Sequence, residues 1–135
     1  MIKYERPPNW DQIIEAFPHA KLLPTLFAYG EHIYNPSKVL IPAPLMAHEY
    51  RHCARQFPNK AEAWWAKYIA DPEFRYGEEL LGHVEEYRVL VQSTKDRNER
   101  AKLSLRTAAR LTAPLYNYTP PRSMRQAQRD LEALL

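Results

Sequence analysis

Hydrophobic side chains recur every three or four residues along most of this chain, the pattern of helices that pack one face against a core. The first such stripe consists of Trp10, Ile13, Ile14 and Phe17, with Asn9 before it as a candidate N-cap. Most prolines fall between the stripes, where they mark the ends of elements. The pattern predicts helices over residues 9–17, 44–57, 61–70, 72–94 and 96–112, and a last helix that opens at residue 123.

A different pattern separates the first two predicted helices. Residues 26–34 are rich in aromatic side chains, and the Asn-Pro-Ser-Lys segment at 35–38 is typical of a turn. Residues 39–41 then predict a second strand, which Pro42 ends. The fold class that follows is α+β and mostly helical, with a small β-hairpin beside a bundle of about five or six helices.

Length and charge indicate how these elements are organised. The 135 residues have room for one domain with one core, which begins with a helix and its lead-in over residues 1–25. Residues 95–135 form a basic helical part, with 9 Lys/Arg and 4 Asp/Glu. Because acidic residues interrupt the basic ones, this part resembles solvated helix faces more than a nucleic-acid interface. Its first helix is expected to turn Ala101, Leu105, Ala108 and Ala109 inward.

Targeting signals are not apparent. The first residues lack the apolar stretch of a secretory signal, and no apolar run reaches the roughly 18–20 residues of a membrane span. Cys53 is the single cysteine, so no intrachain disulfide is possible. These features predict a cytoplasmic protein without membrane contact, in which Cys53 is a small buried hydrophobic residue.

The segment from His48 to His52 has the spacing HExxH. On a helix, residues four apart lie on one face with Cβ atoms roughly 5–6 Å apart, which suits two ligands of one zinc ion. Glu49 is rotated by about 100° from His48, so it can approach a water molecule on the ion without becoming a ligand. That is the position of a general base, although HExxH also occurs by chance on solvated helices.

A catalytic zinc site usually has a third protein ligand. The histidine variant HExxHxxGxxH is excluded, because Arg55 and Pro58 occupy the Gly and His positions. Later in the chain, Glu79, His83 and Glu86 share one polar stripe of a helix. Glu79 is the favoured ligand, with a surface carboxylate as the plainer alternative.

His83 is open to three interpretations: an alternative ligand, a hydrogen-bond donor to a transition-state oxyanion, or a histidine satisfied within the core. Glu86 is expected to hold the tautomer of His83. Glu78 points away from the stripe and is expected to be exposed. The aromatic residues Trp64, Trp65 and Tyr68 either line a substrate cleft or, as is commoner on a short helix, belong to the core. His19 and His32 are expected to be ordinary surface or turn residues.

Several motifs together carry a resemblance. The HExxH segment is followed by Trp64-Trp65, by the run from Asp71 to Arg75, by Glu79 with Gly82-His83, and by the run from Leu111 to Tyr116. From about residue 26 onward, the chain resembles small zincin-like proteins of phages and prophages, which are regarded as metallopeptidases. The resemblance implies that Glu79 is the third ligand, as in gluzincins. Four residues further on, where that family has a tyrosine, this chain has His83.

The sequence therefore predicts a minimal zincin-like metallohydrolase that uses Zn²⁺ and acts on a peptide or protein. His48, His52 and Glu79 are the expected ligands, and Glu49 and His83 the expected catalytic residues. A strand within residues 26–34 could pair with an extended substrate. One alternative is a catalytically inactive, metal-stabilised binding protein in a phage–host interaction; a second is a nucleic-acid-binding protein that uses the basic C-terminal helices.

Overall fold

The computed structural model describes residues 1–135 as six α-helices and one three-stranded sheet. The mostly helical α+β class predicted from the sequence is confirmed. None of the helices has the length and apolar character needed to cross a membrane. The helices are α1 (Trp10–Ala16), α2 (Ala43–Arg55), α3 (Ala61–Ala70), α4 (Pro72–Val91), α5 (Arg97–Leu111) and α6 (Met124–Ala133). The strands are β1 (Ile2–Lys3), β2 (Phe27–Tyr29) and β3 (His32–Tyr34). Two 3-10 turns span Pro18–Lys21 and Pro114–Tyr116.

Helix starts follow from capping side chains. The Asp71 carboxylate accepts hydrogen bonds from the backbone N–H groups of Glu73 and Phe74, and Pro72 occupies the first turn of α4. Ser123 caps α6 in the same way through the N–H of Gln126. Asn9 occupies the N-cap position of α1 as predicted, but its side chain makes no capping hydrogen bond.

The sheet differs from the predicted hairpin. Both β2 and β3 lie within residues 27–34, and the turn between them uses Gly30 at φ +64°, a left-handed conformation that glycine adopts without strain. Residues 39–41 form no strand because the Asn35 side chain bonds both backbone groups of Val39, at 2.8 and 3.1 Å. The partner of β3 on its other side is β1, in parallel register with Ile2 opposite Ile33.

The predicted inward face of α5 was wrong in part. Ala108 is fully buried, but Ala101, Leu105 and Ala109 are exposed. The buried positions include Ser104 and Thr107, whose hydroxyls donate to Glu132 on α6 and to the Leu103 carbonyl. Because both hydroxyls have hydrogen-bond partners inside the protein, these polar residues can lie on the buried face of α5, where hydrophobic residues were predicted.

Helix α4 lies at the centre and packs against α2, α3, α5 and α6. It separates two core clusters. The cluster on the α1–α3 side contains Ile13, Phe27, Tyr34, Trp64, Trp65 and Tyr68, and the cluster on the α5–α6 side contains Tyr76, Ala108, Leu111, Tyr118 and Ala127. The contact between α2 and α4 is the most extensive in the protein. It brings the HExxH helix against the helix that carries Glu79.

Candidate metal centre

His48 and His52 lie one turn apart on α2 and both point toward α4. Their Nε2 atoms are 3.1 Å apart, and both side chains are buried. Glu79 of α4 completes a triangle: its Oε2 is 3.3 Å from Nε2 of His48 and its Oε1 is 3.3 Å from Nε2 of His52. Ligand atoms at roughly 2.0–2.1 Å from a tetrahedral ion lie about 3.3–3.4 Å apart. The three predicted ligands thus have a spacing that fits one zinc ion.

The Glu79 carboxylate is held in its ionised form. Burial by itself raises the pKa of Glu79, but the adjacent His52 and His48 together lower it well below its usual value. Tyr68 donates a hydrogen bond of 2.9 Å to Oε1, whereas Oε2 is buried without a hydrogen-bond partner. A buried carboxylate oxygen with nothing to accept from is the kind of atom that a cation would satisfy.

Packing orients the two imidazoles. The Nδ1 atoms of His48 and His52 have no hydrogen-bond partner in the protein, so no hydrogen bond at Nδ1 fixes the orientation of either ring. The His52 ring packs against Trp64, with centroids 5.4 Å apart. The His48 ring lies over Gly82, where a Cβ atom would be only 2.9 Å from Nε2. Gly82 is therefore a glycine because the imidazole occupies the space of a side chain.

Glu49 follows His48 on α2 and lines the same cavity. Burial raises the pKa of Glu49 to about 8, with Glu79 and Glu86 adding to the shift and His48 opposing it. No arginine or lysine contacts this carboxylate.

The buried glutamates leave an excess of negative charge. Four of them lie on α2 and α4, and two have an arginine partner: Glu78 with Arg55 at 3.1 Å, and Glu86 with Arg110 at 2.9 Å. Glu49 and Glu79 have none. When both are ionised, the unpaired charge is that which one divalent cation would balance.

His83 lies beside the triangle rather than in it. Its Nδ1 is 2.7 Å from the Glu79 carbonyl, which can only accept, so Nδ1 carries the proton. Burial, with His48 second, lowers the pKa of His83 to about 3. The neutral ring therefore has a bare Nε2, which cannot donate to an oxyanion as the sequence predicted. That lone pair could still bind a metal, in a second buried grouping with His48 and Glu86.

Two expectations for the neighbouring glutamates were wrong. Glu86 does not hold His83, because its Oε2 is bonded to Arg110 and lies 3.9 Å from Nε2 of His83. Glu78 is buried rather than exposed. Its carboxylate accepts from Arg55 on α2 and from the indole N–H of Trp64 on α3, so it ties three helices together.

Sequence reasoning assigned no role to Tyr116. It lies on the 3-10 turn Pro114–Tyr116, lines the cavity, and packs edge-on against His83 with centroids 6.0 Å apart. Its hydroxyl makes no hydrogen bond within the protein. Burial and Glu79 raise the pKa of Tyr116 well above its usual value, so the hydroxyl keeps its proton. No sequence spacing signals this contact, since it depends on how a loop far along the chain folds back.

Arg75 fixes that loop. Its buried guanidinium donates to the carbonyls of Tyr116 at 2.7 Å and Asn117 at 2.9 Å, and also to Tyr68 and Ile69 at the end of α3. The carbonyl end of α3 carries partial negative charge, which favours a cation at this position. One arginine on α4 thus joins the Tyr116 turn to α3.

The triangle opens into a cavity of about 450 Å³. Trp64, Trp65 and Tyr68 belong to the core, as the commoner interpretation predicted, and they also line this cavity. Substrate pairing along β2 is not available at Ala28, because its carbonyl already accepts from Gln56 at 3.0 Å and from Trp65 at 2.9 Å. The Gln56 carboxamide also accepts from the Gly30 N–H at 2.7 Å, so it covers the edge of this strand.

Comparison with known proteins gives no match: no protein-family model, no curated protein and no solved structure is similar to this chain. Function is therefore inferred from the residues of the site alone.

Proposed function

We propose that this protein is a zinc-dependent hydrolase and that its substrate is a peptide or protein. The observation that carries the proposal is the buried triangle of His48 Nε2, His52 Nε2 and the Glu79 carboxylate, with sides of 3.1, 3.3 and 3.3 Å. Two imidazoles and one carboxylate are a ligand set of catalytic zinc, whose further ligand would be water or substrate, and all three residues line the cavity. Calcium and magnesium favour sites built from oxygen ligands, whereas two of the three ligands here are imidazole nitrogens.

Zinc in this position would lower the pKa of a water molecule toward about 7 and polarise a carbonyl group. Glu49 would accept the proton of that water and deliver it to the leaving amine. Its burial and its lack of a basic partner suit a group that takes up and releases a proton near neutral pH.

Tyr116 is the proposed donor to the negative charge that develops on the substrate carbonyl oxygen. Tyr116 lines the cavity, and its hydroxyl keeps its proton and makes no hydrogen bond within the protein. A donor fixed in advance by packing is worth more than a mobile one, because it needs no rearrangement as charge develops. Tyr116 replaces His83 in this role, since the bare Nε2 of His83 has no proton to give.

Metal analysis of the purified protein tests the proposal. Protein prepared without added zinc is expected to contain one zinc per chain, and His48→Ala is expected to lose it. His19→Ala, at an exposed position outside the cavity, is the matched control and should keep the metal. Absence of zinc from the unsubstituted protein after zinc has been supplied would contradict the proposal.

A catalytically inactive, metal-stabilised binding protein is the second candidate, because the same three buried ligands would hold α2 and α4 together without any turnover. In that case Glu49→Gln would leave the function of the protein intact. The origin in phages or prophages and the cytoplasmic location stay predictions. Fractionation of expressing cells tests the latter.

A further inference from the structure

We propose that the apolar part of the cavity is a specificity pocket for an aromatic or large aliphatic side chain next to the scissile bond. This inference rests on the proposed hydrolase function and names the substrate class of the same site.

The floor of the pocket is an unbroken row of aromatic rings that starts at a metal-ligand candidate. The His52 ring contacts Trp64 with centroids 5.4 Å apart, Trp64 stacks on Tyr68 at 4.9 Å, and Tyr68 meets Phe17 at 5.9 Å. A carbonyl held at the triangle would therefore have its neighbouring side chain beside these rings.

The polar atoms of this floor are already occupied by protein partners. The indole N–H of Trp64 donates to Glu78, that of Trp65 donates to the Ala28 carbonyl, and the Tyr68 hydroxyl donates to Glu79. At the rim, the Thr25 hydroxyl donates to the Leu23 carbonyl. The floor presents ring faces and no free donor to a ligand. A polar side chain placed there would lose its bonds to water without replacement.

The rest of the pocket wall carries no charge. Side chains from α1, from the turn Pro18–Lys21 and from the segment leading into β2 close it, and every charged residue of the cavity lies on α2, α4 or α5. A charged substrate side chain would find no counter-ion on the apolar side. The uncharged wall residues include Ile13, Phe17, Ala20, Leu23, Leu26 and Phe27.

The size of the cavity agrees with this class of ligand. At about 450 Å³ it lies within the roughly 300–1,000 Å³ of small-ligand sites. It has room for one large side chain with the backbone on either side of it. An apolar group of that size gains most from leaving water, so the preference should grow with apolar area.

Two tryptophans in the floor provide a readout that does not require turnover. The full chain, with and without zinc, is titrated with the N-acetyl amides of phenylalanine, leucine, alanine and lysine, and tryptophan fluorescence is followed. Phenylalanine amide is expected to bind at least about tenfold more tightly than alanine amide, and lysine amide more weakly than both. Equal affinities for phenylalanine and alanine amides would overturn the proposal.

A matched pair of variants places a charge inside or outside the pocket. Leu23 lines the cavity, whereas the adjacent Leu22 is 81% exposed and does not. Leu23→Glu should weaken binding of phenylalanine amide at least about tenfold and favour lysine amide, while Leu22→Glu should change neither. Equal effects of the two variants would overturn the proposal. Both positions are partly or fully exposed, so the variants are expected to fold.

Peptide cleavage separates the two proposals. Bound zinc with hydrolysis that shows no side-chain preference would overturn the specificity pocket and leave the hydrolase. Loss of the zinc site with the preference for phenylalanine amide retained would overturn the hydrolase and leave an apolar binding pocket.

Discussion

Glu49 and Glu79 face one cavity, yet their proton affinities move in opposite directions. Burial raises the pKa of Glu49 to about 8, whereas His52 and His48 outweigh burial at Glu79 and lower its pKa well below the usual value. Two carboxyl groups whose environments separate their pKa values are suited to different tasks. At this scale, the lowered pKa of Glu79 suits a metal ligand, and the raised pKa of Glu49 suits the proposed proton acceptor.

Glu49→Gln should lower peptide hydrolysis at least about 100-fold and leave zinc content unchanged, because the amide keeps the shape of the side chain and cannot accept the proton. Turnover of a synthetic peptide mixture, followed by mass spectrometry, together with metal analysis, measures both effects. Glu62→Gln, at an exposed position of α3, is the control. Undiminished hydrolysis in Glu49→Gln would refute the general-base role.

Gly82→Ala should weaken zinc binding about tenfold or more, because its Cβ would lie 2.9 Å from Nε2 of His48 and displace the ring. Competition with a chromophoric chelator measures the affinity. Gly77→Ala is a matched control on the same helix, since nothing lies within 4 Å of the added Cβ. If the two variants bind zinc equally, the close approach at Gly82 has no bearing on the metal.

Tyr116→Phe should reduce kcat about 100-fold without a change in zinc affinity, as expected for one lost donor to a developing oxyanion. Steady-state hydrolysis and chelator competition give the two quantities. Tyr50→Phe removes a hydroxyl from an exposed side chain on α2 and should have no effect. A fall in zinc affinity in Tyr116→Phe would instead indicate a structural role.

Sequence analysis could predict which side chains share a helix face when the residues lie one or two turns apart on the same helix. His48 and His52 are four apart, and Glu79 shares a helical stripe with His83, so their faces follow from the period of the helix. Gly82 and Tyr116 depend on contacts between elements, which no local spacing encodes.

At the scale of elements, Glu78 ties together the helices that carry the triangle. Its buried carboxylate joins Arg55 on α2 and Trp64 on α3 to α4, and Trp64 in turn packs against His52. The geometry of the ligands thus depends on a carboxylate that points away from them.

Glu78→Ala should lower the free energy of unfolding by about 1–3 kcal/mol, because it leaves the buried indole N–H of Trp64 without an acceptor. Urea denaturation followed by circular dichroism measures this change. Glu85→Ala breaks a surface pair with Arg88 on the same helix and should cost less than about 1 kcal/mol. A similar small loss in Glu78→Ala would show that the tie does not stabilise the fold.

Element prediction succeeded for helices and failed for strand pairing. Apolar stripes and the Asp71 and Ser123 caps locate the helices, since these signals are local. Tertiary contacts determine which strands pair. The Asn35 side chain bonds the backbone of Val39, so residues 39–41 do not pair as a strand, and β3 pairs instead with β1 from the start of the chain. Aromatic composition alone could not distinguish a turn at Gly30 from one at residues 35–38.

For the whole molecule, a cation bound beside Glu49 and Glu79 is expected to contribute to stability. Their carboxylates are buried between α2 and α4, at the most extensive helix contact of the fold. A ligand that binds only the folded state raises the free energy of unfolding by mass action.

Zinc at 100 times its Kd should therefore stabilise the protein by about 2.7 kcal/mol, seen as a higher Tm, and a chelator should reverse the shift. Differential scanning calorimetry of the zinc-loaded and chelator-treated forms checks this. His48→Ala should show no shift, whereas His19→Ala should behave as the unsubstituted protein. A Tm that does not respond to zinc would exclude a metal bound selectively by the native state.

The Gln56 carboxamide also has a consequence for self-association. It bonds the Ala28 carbonyl and the Gly30 N–H as a neighbouring peptide group would, and it is 1% exposed. An open strand edge is a template on which further chains can add and grow into fibrils. One amide side chain closes that template here, so the aromatic-rich strand is guarded against aggregation without the addition of a fourth strand.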